Sequence, residues 1–218
     1  MKLLKTLLAS AVAVSAMPAL AYEAGDIIVK AGVVNVNPKS DSGADSSPVT
    51  STLVPGDKSE LVVGDDTQLG LTLTYMVAPQ VGVEVLAATP FQHQVEVEGG
   101  ALDGTKVAEA NHLPPTVSVQ YYPMDAASKI QPYVGLGVNH TFFFNEKDST
   151  GLGIVGGLKK SWGLSYSAGL DYMIDDHFLV NAAVWKMDID TEVRGGAADG
   201  LKVEIDPLVF MVAAGYKF

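Results

Sequence analysis

Ile205-Asp206-Pro207-Leu208-Val209-Phe210-Met211-Val212-Ala213-Ala214-Gly215-Tyr216-Lys217-Phe218 closes the chain, and its alternation decides the fold. Leu208, Phe210, Val212, Ala214, Tyr216 and Phe218 fall on one face of an extended strand. A tilted β-strand crosses a bilayer in about 9–11 residues, so this apolar face is long enough to span. Outer-membrane barrels present such a strand, closed by an aromatic residue, as their last one. The fold expected is therefore all-β: an eight-stranded antiparallel transmembrane β-barrel with short periplasmic turns and long extracellular loops.

The opening residues read as an export signal. Lys2 and Lys5 form a positive start, Leu7 to Ala16 an apolar run, and Ala19-Leu20-Ala21 a small-residue cleavage site. Residues 1–21 are thus expected to be a signal peptide and residues 22–218 a single barrel domain, placed in the outer membrane of a bacterial cell. The apolar run is too short for a spanning helix and is followed by Pro18. There is no cysteine, so disulfides, thiolate chemistry and cysteine-ligated metal are excluded. Only 14 Lys and Arg stand against 25 Asp and Glu, a formal charge of −11, and Arg194 is the sole arginine. That balance excludes a phosphate-tracking nucleic-acid surface and argues against an anion-selective pore.

Apolar alternation recurs about every 25 residues. It predicts strands at 26–37, 61–77, 81–95, 109–123, 131–144, 158–174, 178–193 and 202–218. Short connections fall at 78–80, 124–130 and 175–177. Longer stretches rich in Gly, Ser, Asp and Pro fall at 38–60, 96–108, 145–157 and 194–201. Leu69, Leu71, Leu73 and Tyr75 share one face of the second strand, opposite Gln68, Gly70, Thr72 and Thr74. In the sixth, Trp162, Leu164, Tyr166, Ala168, Leu170 and Tyr172 oppose Ser161, Gly163, Ser165, Ser167, Gly169 and Asp171. A soluble β-sandwich would alternate in the same way. Tyr75, Tyr121, Tyr122, Tyr133, Tyr172 and Tyr216 separate the two readings, because all lie near a short turn or the C-terminus. Rings gathered at one level are the girdle expected at a membrane interface.

Asp66-Thr67-Gln68-Leu69-Gly70-Leu71-Thr72, Gly82-Val83-Glu84-Val85-Leu86-Ala87-Ala88-Thr89-Pro90-Phe91 and His112-Leu113-Pro114-Pro115-Thr116 stand out as segments. So do Pro132-Tyr133-Val134-Gly135, Ser161-Trp162-Gly163, Val184-Trp185, Met187-Asp188-Ile189-Asp190-Thr191 and the Asp206-Pro207 ending. Together they resemble the OmpW family of outer-membrane proteins, and the likeness runs from about Glu23 to Phe218. It implies an eight-stranded barrel that carries small hydrophobic molecules across the outer membrane, with some members serving as colicin receptors. It also implies a hydrophobic constriction at Leu86 and Trp185. Lys186 departs from the family pattern, which has an aromatic residue after that tryptophan.

Parity places Lys30, Glu84, Asp171 and Lys217 inside, each a few residues from the periplasmic end of its strand. Two cations and two carboxylates at one depth would neutralise each other as a plug, because an eight-stranded barrel is just wide enough to be filled by side chains. Higher up, Met187 and Ile189 continue the face of Trp185, and Val203 and Ile205 lie on the inward face of the last strand. Lys186, Asp188, Asp190, Lys202, Glu204 and Asp206 then point out. Charges outside and apolar groups inside describe a strand end that protrudes beyond the bilayer around an apolar funnel. Past Pro90, simple parity would turn Gln92, Gln94, Glu96 and Glu98 inward unless a bulge resets the register.

Pro90, Pro114 and Pro115 lie on neighbouring strands and cannot donate to a ladder, so they mark a candidate lateral opening. A plugged floor beside a weakened wall suggests entry from outside and release sideways into lipid, a route also proposed for the family. The expected partners are outer-membrane lipid and lipopolysaccharide, small hydrophobic ligands and, through the C-terminal strand, the barrel-assembly machinery. A monomer with no cofactor and no metal is expected. His93, His112, His140 and His177 fall on different strands without nucleophile or metal-ligand spacing, which argues against an enzyme. The competing function is a structural or receptor barrel for colicin, phage or host surfaces, without transport.

Overall fold

The computed structural model describes residues 22–39, 60–153, 155–196 and 198–218. The expected signal peptide and most of the first long loop fall outside them. Among the described residues thirteen strands form, in order: β1 (Ile27–Asn37), β2 (Glu60–Val63), β3 (Asp66–Ala78), β4 (Val81–Ala88), β5 (Phe91–Glu98), β6 (Lys106–Leu113) and β7 (Thr116–Tyr121). Then follow β8 (Ile130–Asp148), β9 (Ser161–Met173), β10 (Phe178–Met187), β11 (Asp190–Glu192), β12 (Lys202–Glu204) and β13 (Leu208–Lys217). Antiparallel pairing runs β1–β3–β4–β7–β8–β9–β10–β13. The terminal strand then returns to the first, from Ile28 opposite Lys217 to Asn37 opposite Leu208, and the ring of eight is closed. Closure removes the exposed sheet edges that lipid could not satisfy.

Several of the eight expected strands are interrupted. The second breaks at Gly64-Asp65, the third at Thr89-Pro90 and the fourth at Pro114-Pro115, where proline has no N–H to give. The last breaks at 205–207, where Asp206 has φ +34° and Pro207 follows. The fifth, β8, is unbroken over 19 residues, roughly 60 Å of strand at about 3.3 Å per residue. Its lower part pairs with β7 and its upper part with β6. The wall therefore rises well beyond an apolar band of about 25 Å.

Leu69, Leu71, Leu73, Tyr75 and Val77 alternate outward on β3 against inward Gly70, Thr72, Thr74 and Met76. Val117, Val119, Val134, Leu136, Phe210 and Val212 extend this exposed apolar belt around the ring. Tyr75, Tyr121 and Tyr172 stand at its periplasmic edge, and Tyr216 packs there against His177, Phe178 and Phe218. Tyr122 and Tyr133 do not join the girdle. Both are buried in the lumen, because Tyr122 follows outward Tyr121 and must point the other way, and Tyr133 shares the inward parity of Gln131.

Candidate functional site

The lower lumen is organised around a lysine. Lys30 of β1 meets Asp171 of β9 at 3.1 Å and Glu84 of β4 at 3.9 Å, and none of the three is more than 1% exposed. Asn181 donates to the second Asp171 oxygen at 2.6 Å, the Tyr22 hydroxyl donates to Asp171, and Thr74 donates to Glu84 at 3.2 Å. The Lys30 ammonium also lies 4.9 Å from the centroid of the Tyr133 ring. Tyr22, Tyr122 and Tyr133 pack in sequence with centroids 5.1 and 5.2 Å apart. Gly169 makes room for this layer, since a Cβ there would sit 2.3 Å from the Tyr133 ring. Lys217 lies elsewhere, at the rim, with its ammonium 3.7 Å from Asp26.

Above this layer one side of the interior is apolar. Leu86, Trp185, Met187 and Ile189 are buried in one cluster with Val34, Val36, Phe91, Val209 and Met211, and Ile205 packs against it. Val203 does not reach that cluster. The turn at Asp206-Pro207 redirects β12, which pairs with β11 in a separate two-stranded sheet. There Val203 packs with Val193, Ala198, Leu158 and Leu201.

The prolines leave a seam. β4 pairs with β7 up to Leu86 opposite Thr116, and β5 resumes pairing with β6 at Phe91 opposite His112. Between these points Ala87 to Pro90 and Leu113 to Pro115 make no strand pairing with each other. On its other side Thr89 remains held, its N–H donating to Leu69 at 2.9 Å. The break also resets parity. Phe91, His93 and Val97 become the buried face of β5, and Gln92 and Glu98 are exposed.

Two histidines expected on separate strands meet beside the seam. The His93 and His112 rings stack at 4.8 Å, with Phe91 at 5.4 Å and Phe143 at 6.0 Å from His112. The signal lay in the sequence, since His112 pairs with Phe91 on the adjacent strand and His93 stands two residues further along the same face. It could be used only once the parity reset was placed. Nδ1 of His93 is 2.6 Å from the Gly64 carbonyl, which fixes that nitrogen as the donor in the neutral ring. Burial lowers the His112 pKa to about 3, and His93 pushes the same way. Burial also lowers His93, against the opposing pull of the Gly64 bond and of Asp66 and Asp65. Among the described residues no three His, Asp or Glu side chains are grouped to hold a metal ion.

A model of the OmpW family matches residues 23–218. Outer membrane protein W of Vibrio cholerae is 44% identical over 220 residues, covering 97% of each chain. That of Escherichia coli is 42% identical over 226 residues, covering 99% of this chain and all of the relative. The crystal structure of the outer membrane protein OprG from Pseudomonas aeruginosa superposes with a TM-score of 0.74 at 45% identity, covering 90% of this chain and 97% of that one.

Two expectations follow from these geometries. Asp171→Ala strands the Lys30 ammonium and should destabilise the barrel by about 3–5 kcal/mol in urea unfolding. Lys30→Met combined with Asp171→Leu should recover much of that loss. The histidine stack gives a pH dependence. In the unfolded chain both rings take protons near about 6.5, whereas folded His112 resists until about 3. Stability is therefore full above about pH 6.5 and falls progressively toward about pH 3. Hydrogen exchange of β5 and β6, corrected for intrinsic rate, should lose protection between pH 7 and 4.5. A His93→Phe/His112→Phe variant should not.

Proposed function

The chain belongs to the OmpW family of bacterial outer-membrane proteins, and from that premise we propose that it takes up small hydrophobic molecules. The observation that carries this reading is the continuous apolar cluster of Leu86, Trp185, Met187 and Ile189 above a floor of paired charge. Nothing in a purely structural barrel requires hydrocarbon at this height rather than paired polar groups. A water-filled porin requires the opposite lining.

The ligand enters from the extracellular side, where the strands rise beyond the belt. Ile205, Ile189 and Met187 provide the apolar approach, and Leu86 and Trp185 form the constriction. Transfer from water is driven by burial of apolar surface, at about 25 cal/mol per Å². The Lys30–Glu84–Asp171 floor opposes descent, because passage would require parting ions that have no water to replace their partners. The seam bounded by Pro90, Pro114 and Pro115 is the way out, and lipid receives the molecule directly. This is channel work and needs no catalyst or cofactor. A monomer suffices, since the ladder closes on itself. The C-terminal strand is the part offered to the assembly machinery, and lipid and lipopolysaccharide surround the belt.

Cells producing Leu86→Glu/Trp185→Glu protein, with folded barrel in the outer membrane checked by its heat-dependent gel mobility, test the reading. Uptake of a radiolabelled apolar compound should drop to that of cells lacking the protein. Uptake equal to wild type would point instead to a receptor or structural barrel.

A further inference from the structure

The lumen above the floor has two unlike walls. β10, β13 and β1 turn Ala183, Trp185, Met187, Val209, Met211 and Val34 inward, and all are buried. β7, β8 and β9 turn Thr116, Ser118, Asn139, Ser165 and Ser167 inward, and these are buried as well. One wall is hydrocarbon and thioether apart from a single indole N–H. The other is made of hydroxyls and a carboxamide.

At the line where the walls meet, hydrogen-bonding groups stand unmatched. Trp185 lies directly across the β9–β10 ladder from Ser167, and Met187 lies across from Ser165. Nε1 of Trp185, Oγ of Ser165 and Oγ of Ser167 are all buried without a hydrogen-bond partner. An unmade buried hydrogen bond costs about 1–3 kcal/mol, so each such group needs a reason to be there. Alanine at 165 and 167 would fill the same backbone positions without the penalty. Packing and folding therefore do not account for these hydroxyls, whereas a bound molecule with a polar group does.

We propose that the lumen is a two-sided binding site for an amphiphile. A slender hydrocarbon body lies on the Trp185–Met187 wall, and one uncharged hydrogen-bonding group, such as a hydroxyl, meets Ser165, Ser167 and the Trp185 N–H. The inference rests on the uptake reading above and narrows its substrate class from hydrophobic molecules in general to short alcohols and phenols over bare hydrocarbons. A hydroxyl both donates and accepts, so it answers the indole N–H and the serine oxygens together. An anionic group is excluded, because the floor already holds two carboxylates against one ammonium and a further negative charge would find no counter-ion.

The chain has two tryptophans, and Trp162 faces outward at 72% exposure. Trp162→Phe therefore leaves Trp185 as the only tryptophan emitter. In this background, purified barrel in detergent micelles is titrated with a brominated short-chain alcohol and with the brominated alkane of equal carbon number, reading quenching of Trp185. Comparison between protein variants cancels the unequal micelle partitioning of the two probes. Ser165→Ala/Ser167→Ala removes only two oxygen atoms, and thermal stability equal to or above the parent's confirms that it is folded. The double variant should raise the half-quenching concentration of the alcohol about tenfold and leave that of the alkane within about twofold. If both probes still quench but the variant changes neither, or both alike, the two-sided site is wrong and the uptake reading survives. If neither probe quenches Trp185 in the parent, both readings fall.

Discussion

A lysine ammonium held at 1% exposure inside a narrow barrel obliges the rest of the interior to answer it. Lys30 comes from the first strand of the ring, Glu84 from the third and Asp171 from the sixth, so the charges meet only when the ring is closed in one register. A slip of one residue along any of these strands would turn its charged side chain toward lipid. Asn181 and Tyr22 complete the Asp171 carboxylate, and three tyrosine rings in edge-on and tilted contact pack beside the ammonium. The same layer lies between the foot of the barrel and its upper lumen. In the proposed route it is the reason that a molecule admitted from above must leave by the wall.

The wall is weakened where parity has to change. Up to Ala88 the even positions of the third stave face inward; from Phe91 the odd ones do. A continuous ladder cannot make that switch, and Thr89-Pro90 opposite Pro114-Pro115 gives up pairing to allow it. The reset turns Gln92 and Glu98 to solvent and Phe91 and His93 to the interior. The seam and the stacked His93–His112 pair are thus products of one backbone event. Its location at the upper margin of the lipid-facing belt is what makes a lateral exit physically reasonable.

Period-two alternation was readable wherever a strand met lipid on one side, as in Gln68 to Tyr75 and Ser161 to Tyr172, because the bilayer enforces a strict apolar face. It was also enough to collect Lys30, Glu84 and Asp171 at one level. Alternation alone could not say that Lys217, one residue from the chain end, turns to Asp26 at the rim. Nor could it say that Val203 leaves the lumen, since the positive φ of Asp206 is a local backbone choice with no hydrophobic signature. Tyrosine composition misplaced Tyr122 and Tyr133, whose rings are large enough to serve equally at an interface or inside a charged floor. The histidine pair stayed hidden for a different reason: its two members meet only through a register that the proline break defines.

In the proposed route the closed floor makes the seam the exit. The chain has no cysteine, so Ala88→Cys with Pro114→Cys places two unique thiols on opposite sides of the seam, to be joined by a short bifunctional thiol reagent. Uptake of an apolar compound is then compared in cells carrying the joined protein, the same protein with both thiols singly capped, and wild type. The account predicts that joining the two sides abolishes uptake while capping leaves most of it. Uptake undiminished by the crosslink would contradict it.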